Sequence, residues 1–457
     1  PPAWKGRFVS RYVRDTDILS LQAGHFRQMW LTVHVPKDCP AGSYTGSIEI
    51  RPSNAEKTSI PVNFEVLPIH LRQPKEKGYA VYYRSRFESY TPEEAEKMRR
   101  RELADLRAHG CDHILGRAGI DYRKDGDTIQ IDYSEIRKRF EQFREFGFKA
   151  PYIAWDRLDR LARLMKPDSA PETGLEEFTQ TARFRKVAQQ ALTGLQELRQ
   201  EENFPEIVVT HMDEVFNRHR LPRYIALTRV IRKVAPDLRV YITLHSRPDP
   251  RVVDMTAQID PYVDLRGYHG HSIGQWLAAG HTFDELGTML AESGDEAWTY
   301  YNPRSLEVTP EWMRIVNGVW LWMSPIRVHC PWCYHSLRGN PLDDGDGHDY
   351  GFAFPVDGEI VSTRLWEAYR EGVDDMRYLS TLEQLIQERR DDPRYAEACR
   401  QAQGWLDDLR KRLLGLPLEN DQSALVRAIS NEYSQEDYND WRRECVRWIQ
   451  ELSTPRD

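Results

Sequence analysis

The sequence predicts an α/β protein: a (β/α)8 TIM barrel with an N-terminal antiparallel β-module and a C-terminal helical extension. Three observations predict it. From Tyr79 onward, short apolar runs alternate with longer stretches whose apolar residues recur at helical spacing, the pattern of parallel strands joined by helices. Eight such runs fall within about 300 residues, the strand number of a barrel and close to its span. No Gly-rich phosphate loop follows the first of them, as a doubly wound nucleotide-binding sheet would require.

Ahead of the barrel, 26–35, 44–50 and 60–67 read as strands because their polarity alternates, and Pro36 to Gly42 supplies a turn. This module is too short for a full sandwich. The barrel strands are expected at 79–84, 111–116, 149–155, 206–212, 238–244, 262–268, 297–302 and 327–332. Amphipathic helical runs lie between them, for example 92–108, 178–201, 221–235 and 310–320. A long helix is expected over 362–387, then helical segments over 394–414 and 422–452. The domains are therefore 1–74 (β-sandwich-like module), 75–388 (barrel) and 389–457 (helical region).

Composition narrows the function. With 457 residues, 40% hydrophobic and 29% charged, the chain has a globular balance. A net charge of −8 argues against nucleic acid or an anionic membrane as the main partner. No apolar run approaches the roughly 20 residues that span a bilayer. Six scattered Cys make no disulfide framework, and Cys330-Pro-Trp-Cys333 has no second pair to complete a zinc site. No metal and no cofactor is expected. The chain opens with Pro1-Pro2 and carries no signal-like segment, which leaves the compartment open.

The most informative segment is His211-Met212-Asp213-Glu214, which ends the apolar run Ile207-Val208-Val209-Thr210. Two carboxylates at the C-terminal end of a buried parallel strand stand where barrels keep their chemistry. A pair of helix-capping residues would have the same composition. The other strand ends offer Arg84, Arg117, Trp155, His211, His245, Tyr268, His269, Tyr300, Tyr301, Asn302 and Trp332 as substrate-binding residues, since sugars need aromatic faces and hydrogen-bonding groups. Packing in the core is the alternative for each aromatic ring or His. Tyr300 and Tyr301 point oppositely, so one of them packs between strand and helix.

Three separated segments share a family resemblance. Trp30-Leu31-Thr32-Val33-His34-Val35-Pro36 with Ala41-Gly42-Ser43-Tyr44-Thr45-Gly46 resembles the strand pair ahead of the catalytic barrel in glycoside hydrolase family 123. Asp213-Glu214 matches that family's catalytic pair in kind and place. Asp357-Gly358-Glu359-Ile360-Val361-Ser362-Thr363-Arg364, with Glu367 to Leu379, is similar to its C-terminal signature, except that Asp374 stands where Glu is usual. The N-terminal module is also shorter than the family's. The resemblance implies an exo-acting β-N-acetylgalactosaminidase on β-linked N-acetylhexosaminide glycans, in a secreted or periplasmic setting.

An ordinary retaining glycosidase sets two carboxylates about 5 Å apart, often from the fourth and seventh strands. Here the seventh strand ends Thr299-Tyr300-Tyr301-Asn302-Pro303 with none; Glu296 lies at its wrong end and Glu307 beyond a Pro. Substrate-assisted catalysis accounts for the gap: the sugar's own acetamido oxygen attacks its anomeric carbon, giving an oxazolinium intermediate. The resemblance then implies that Asp213 orients the acetamido group and Glu214 acts as acid and base, with its pKa raised by Asp213 and burial. Alternatives stay open. Asp156, Asp344 or Asp346 is a source for a conventional nucleophile acting on another sugar. A glycan-binding barrel without turnover is a second alternative, and a metal hydrolase using His211, His245, His269 and His271 a third.

Overall fold

The computed structural model describes residues 12–13, 19–84, 90–166, 174–215, 220–244, 259–302, 308–337, 340, 350–420 and 423–455. By compactness the chain groups into two units. The first comprises 1–14, 74–376 and 410–435; the second comprises 15–73, 377–409 and 436–457. Sequence patterning alone predicts boundaries at about 74 and 388, between consecutive segments.

The first unit is α/β, with parallel sheets and helices. Its parallel strands are β1 (Gly78–Tyr79 and Tyr82–Tyr83), β2 (Leu115–Gly119), β3 (Tyr152–Trp155), β4 (Ile207–Thr210), β5 (Tyr241–Leu244), β6 (Leu265–His269), β7 (Glu296–Tyr300) and β8 (Val328–His329). Each overlaps one of the eight expected runs. β1 through β4 pair in chain order, and so do β5 through β8, all parallel. A single bridge, Val209 with Val240, links β4 to β5. The two halves of β1 pair on opposite sides, Gly78-Tyr79 with β8 and Tyr82-Tyr83 with β2.

Strand alternation decides what lies inside. Ala80, Leu115, Ile153, Val208, Tyr241, Leu265, Trp298 and Val328, one from each strand, form a single buried cluster with Cys330. Gly267 belongs to this face, and a Cβ there would stand 2.3 Å from the Tyr241 hydroxyl. Its missing side chain is the space that the Tyr241 ring occupies.

The connections hold the expected helices and some elements the periodicity did not separate. Pro92–Ala108 begins as predicted, with Thr91 and Glu94 forming a reciprocal capping box. The run expected over 310–320 is helical at Pro310–Ile315 but widens to a π-type turn over Val316–Trp320, where Gly318 leaves helical geometry (φ −96°, ψ −110°). The hairpin Asp121–Asp125/Thr128–Asp132 is inserted after β2. A second hairpin, Ala353–Val356/Glu359–Thr363, turns on Asp357 and Gly358, both with positive φ (52° and 78°). Asp-Gly suits that two-residue turn because both positions need left-handed backbone.

That hairpin and the helix Arg364–Arg389 carry the C-terminal signature, and their contacts give it a structural task. Glu367 accepts from the Ser362 hydroxyl at 3.3 Å, pairs with Arg370, and lies 3.5 Å from His109 on the far end of Pro92–Ala108. His109 also meets Asp105, whose other oxygen accepts from the Tyr334 hydroxyl and the Trp366 indole at 2.7 and 2.8 Å. The His109 ring stacks on Trp366 with centroids 4.4 Å apart. Its two carboxylate partners outweigh burial and lift its pKa to about 9, while the same contacts hold Asp105 and Glu367 below the usual carboxylate range. Arg314 binds Asp375 of the same helix at 2.7 Å.

In the second unit, Gly42–Ile50 and Thr58–Val66 form a nine-residue antiparallel ladder. Tyr44 stacks on its cross-strand partner Phe64 at 5.6 Å. The strand expected over 26–35 is not one. Phe26, Met29, Leu31, Val33 and Val35 are exposed, and no described strand pairs with this stretch. Its alternation supplies an apolar face, but a strand also needs a neighbour for its backbone groups. The helix expected over 422–452 is broken as well, into Ala424–Glu432, which belongs to the first unit, and Gln435–Ser453, with Tyr433 extended between them.

Candidate active site

At the C-terminal ends of the strands lies a cavity of about 210 Å³, lined by residues from seven of the eight strands or their exits. Asp213 and Glu214 are its only carboxylates among the described residues. They follow β4 directly, and Glu214 adopts left-handed backbone at φ 49°, a costly conformation for a residue with a Cβ.

Thr243 of β5 holds this bend. Its hydroxyl accepts from the Glu214 amide at 2.9 Å and donates to Asp213 Oδ1. One buried oxygen thus satisfies the Glu214 N–H while fixing the Asp213 carboxylate. The Tyr300 hydroxyl donates to Glu214 Oε1 at 3.3 Å. Tyr82 and Tyr241 join hydroxyls at 2.9 Å on the same wall. Burial pushes all three phenols well above their ordinary pKa. For Tyr300 the next causes are Glu214 and Asp213; for Tyr82 they are Tyr241 and Cys330, and for Tyr241 the next is Cys330, with Asp213 a smaller contribution to both. They stay protonated, as hydrogen-bond donors, across the working range of an enzyme.

Thr243→Val keeps the shape and removes the hydroxyl, so Asp213 loses its anchor and any turnover that depends on this carboxylate should fall roughly 10- to 100-fold, while Thr243→Ser restores most of it. A Ser variant as impaired as Val would make Thr243 a packing residue only.

Of the sequence-predicted site residues, Asp213, Glu214, Arg117, Trp155, Tyr300, Asn302 and Trp332 line this cavity. Others do not. The His211 ring is buried between Asp156 (3.2 Å) and the Tyr224 carbonyl (3.3 Å), and stacks on Tyr224. It packs behind β4, since alternation turns it opposite to Thr210, a cavity-lining residue. Tyr268 shares the outward face of β6 with Arg266, whose guanidinium is paired with Asp260 and Asp295. Tyr301 packs outward against Trp312, centroids 4.5 Å apart, while its neighbour Tyr300 faces in. His269 accepts from the His271 amide at 3.3 Å, and its ring meets Tyr300 at 4.9 Å, one layer behind the cavity. Arg84 lies over Trp332, 5.9 Å from the ring centroid, and lines an adjoining cleft. His245, Glu307, Asp344 and Asp346 lie outside the described residues.

Tyr82, Tyr241 and Thr243 are not among those predicted binding residues. A signal existed for Thr243, the one polar side chain in the Tyr241–Leu244 strand. For Tyr82, nothing local separates it from Tyr79 and Tyr83 on the opposite face. Among the described residues, no three or more His, Cys, Asp or Glu gather in a metal-holding group. No described helix is long and apolar enough to cross a membrane.

No protein-family model matches the sequence, and no curated protein does. Solved structures show weak likeness. The catalytic domain of a GH26 endo-β-1,4-mannanase from a Bacillus species is 13% identical, with a TM-score of 0.36 over 53% of this chain and 70% of that one. A glycoside hydrolase family 5 protein from Bacteroides vulgatus is 12% identical, TM-score 0.38, over 68% of each chain. A maltogenic α-amylase from Thermotoga neapolitana is 13% identical, TM-score 0.35, over 65% of this chain and 75% of that one. At this level of likeness, the chemistry has to be read from the site's own residues.

Proposed function

We propose that this chain is a glycoside hydrolase, an exo-acting retaining β-N-acetylgalactosaminidase working by substrate assistance on a closed (β/α)8 barrel. The carrying observation is that the cavity's carboxylates, among the described residues, are two adjacent side chains on one strand exit. Adjacent residues do not face each other across a sugar, as an acid and a protein nucleophile must. One to orient an acetamido group and one to protonate the leaving oxygen fit that placement. The ring of parallel pairings, with β1 bonded to both β8 and β2, supports closure. The sugar's identity rests on the resemblance to glycoside hydrolase family 123.

In this reading Asp213, aimed by Thr243, accepts the acetamido N–H and stabilises the positive charge that develops as the oxazolinium ring closes. Glu214 protonates the departing oxygen, then takes a proton from the water that opens the ring. The Tyr300 hydroxyl, which donates to Glu214 in the structure, also lines the cavity, and its single O–H is freed for the acetamido carbonyl when Glu214 is the protonated acid. Trp155 and Trp332 offer aromatic faces for the sugar. The alternative nucleophile Asp156 is fully buried, accepting from the Leu158 amide at 2.9 Å and facing His211, so it does not serve.

The deciding measurement is p-nitrophenol release from the β-N-acetylgalactosaminide, the β-N-acetylglucosaminide and the β-galactoside. The first should turn over and the last should be slower by at least about 10³-fold, because it lacks the internal nucleophile. Comparable cleavage of the plain galactoside would mean a protein nucleophile and overturn substrate assistance. Sugar binding without turnover of any of the three would favour a glycan-binding protein.

A further inference from the structure

Two open clefts adjoin the carboxylate cavity, and both are strongly basic. One is lined by Arg84, Arg99, Lys138, Arg139 and Arg157, the other by Arg157, Arg163, Arg220 and Arg223, and Arg117 belongs to both. Their combined walls carry nine Arg or Lys side chains and three carboxylates, in a chain whose net charge is −8. Part of this charge is compensated: Arg157 meets Glu135 at 3.1 Å, Arg223 meets Glu176 at 3.1 Å, and Lys138 meets Glu96 at 2.9 Å.

Three of the guanidinium groups are not paired with a carboxylate among the described residues. Arg117 is exposed, and its side chain makes no hydrogen bond or ion pair among the described residues. It also lines the carboxylate cavity, so all three spaces meet at this one side chain. Arg139 bonds the Gln142 amide oxygen at 2.8 Å and lies over the Tyr83 ring. Among the described residues Arg220 reaches only the Asp213 carbonyl, at 3.4 Å. Unpaired cations gathered in a concave wall raise the local concentration of anions and bind carboxylate or sulfate through a planar pair of N–H donors.

We propose that these clefts hold the anionic groups of an acidic glycan, with Arg117 contacting the charged residue linked to the sugar in the carboxylate cavity. The proposal rests on the glycosidase reading for that cavity and adds the substrate class: a hexosaminide attached to a uronate-bearing or sulfated chain. Arg117 engages the first charged group beyond the scissile bond, and Arg139 and Arg220 line the two directions in which the chain continues.

The test is titration calorimetry on the full chain carrying Glu214→Gln, so that the sugar is not cleaved, with a tetrasaccharide of alternating N-acetylgalactosamine and glucuronate that has N-acetylgalactosamine at its non-reducing end. Its 4-sulfated form and its carboxyl-reduced, neutral form complete the set. The charged forms should bind at least tenfold more tightly than the neutral one, with an affinity that falls as salt rises. Arg117→Ala should lose most of that difference, and Arg117→Lys only part of it. A tighter sulfated form assigns sulfate as the recognised group; equal affinity for the two charged forms assigns the carboxylate. Equal affinity for charged and neutral forms, or an unaffected Arg117→Ala variant, overturns the proposal. So does equal binding of a single-stranded DNA of matched charge. Binding is read without turnover, so failure of the glycosidase reading in the chromogenic assay is a separate outcome.

Discussion

Glu214→Gln is expected to lower kcat/KM by about 10³-fold on substrates with poor leaving groups, within the usual range for a lost general acid. The loss should shrink on a substrate such as the 2,4-dinitrophenyl glycoside, whose leaving group departs without protonation. Asp213→Asn should behave differently. It weakens the charge that stabilises the forming oxazolinium ring, so its loss should be comparable on good and poor leaving groups alike. The contrast separates the two roles where a single loss of activity would not. Both variants should fold, because Asp213 is exposed and Glu214 half-buried. Full activity in both, or identical leaving-group dependence, would remove the assignment.

The second large effect concerns stability. Asp105→Ala strips the buried His109 of its main partner and leaves the Tyr334 hydroxyl and Trp366 indole without an acceptor. Breaking a buried charge pair from one side costs about 3–5 kcal/mol. Urea unfolding monitored by tryptophan fluorescence would measure it, and a cost below about 1 kcal/mol would show the cluster to be dispensable. The wild-type pH profile carries the same signature. The His109 pKa is raised to about 9, so its contribution is complete below the ordinary His value and drains away as pH rises through about 9. That slope is worth roughly 3 kcal/mol. Asp105 and Glu367 are lowered, so their contribution is complete above the ordinary carboxylate values and is lost as pH falls through the lowered ones. Stability should therefore be greatest around pH 5 to 6.5. His109→Gln should flatten the alkaline slope and weaken the acid one too, because His109 is a main cause of the lowered Asp105 and Glu367 values.

This cluster bears on how the C-terminal signature is read. Asp357-Gly358 makes a hairpin turn, and Ser362, Glu367 and Arg370 tie the following helix to His109. None of these residues lines the carboxylate cavity. A motif that marks a family can mark its scaffold rather than its chemistry.

Much of the α/β unit was legible because its signals are local. Apolar runs of strand length, amphipathic runs of helix length and the capping box at Thr91 each depend on a few neighbouring residues, and so does the place of Asp213-Glu214 at a strand exit. The stretch over 26–35 shows the limit: its alternation is as regular as that of 44–50, yet only the second found a partner strand. Pairing is a property of two segments, and no window of one sequence contains it.

The sequence by itself determined the alternating strands and helices, the turn residues and the strand that carries the carboxylates. Tertiary structure alone decided the facing of side chains and their neighbours. Period-two alternation says that Tyr300 and Tyr301 oppose each other, but which one faces in depends on where β6 and β8 lie on either side. Thr243 reaches Asp213 across 30 positions of sequence, and Tyr300 reaches Glu214 across 86. Such contacts arise only when parallel strands from distant parts of the chain are brought into register, which is why the pair was readable and the residues that aim it were not.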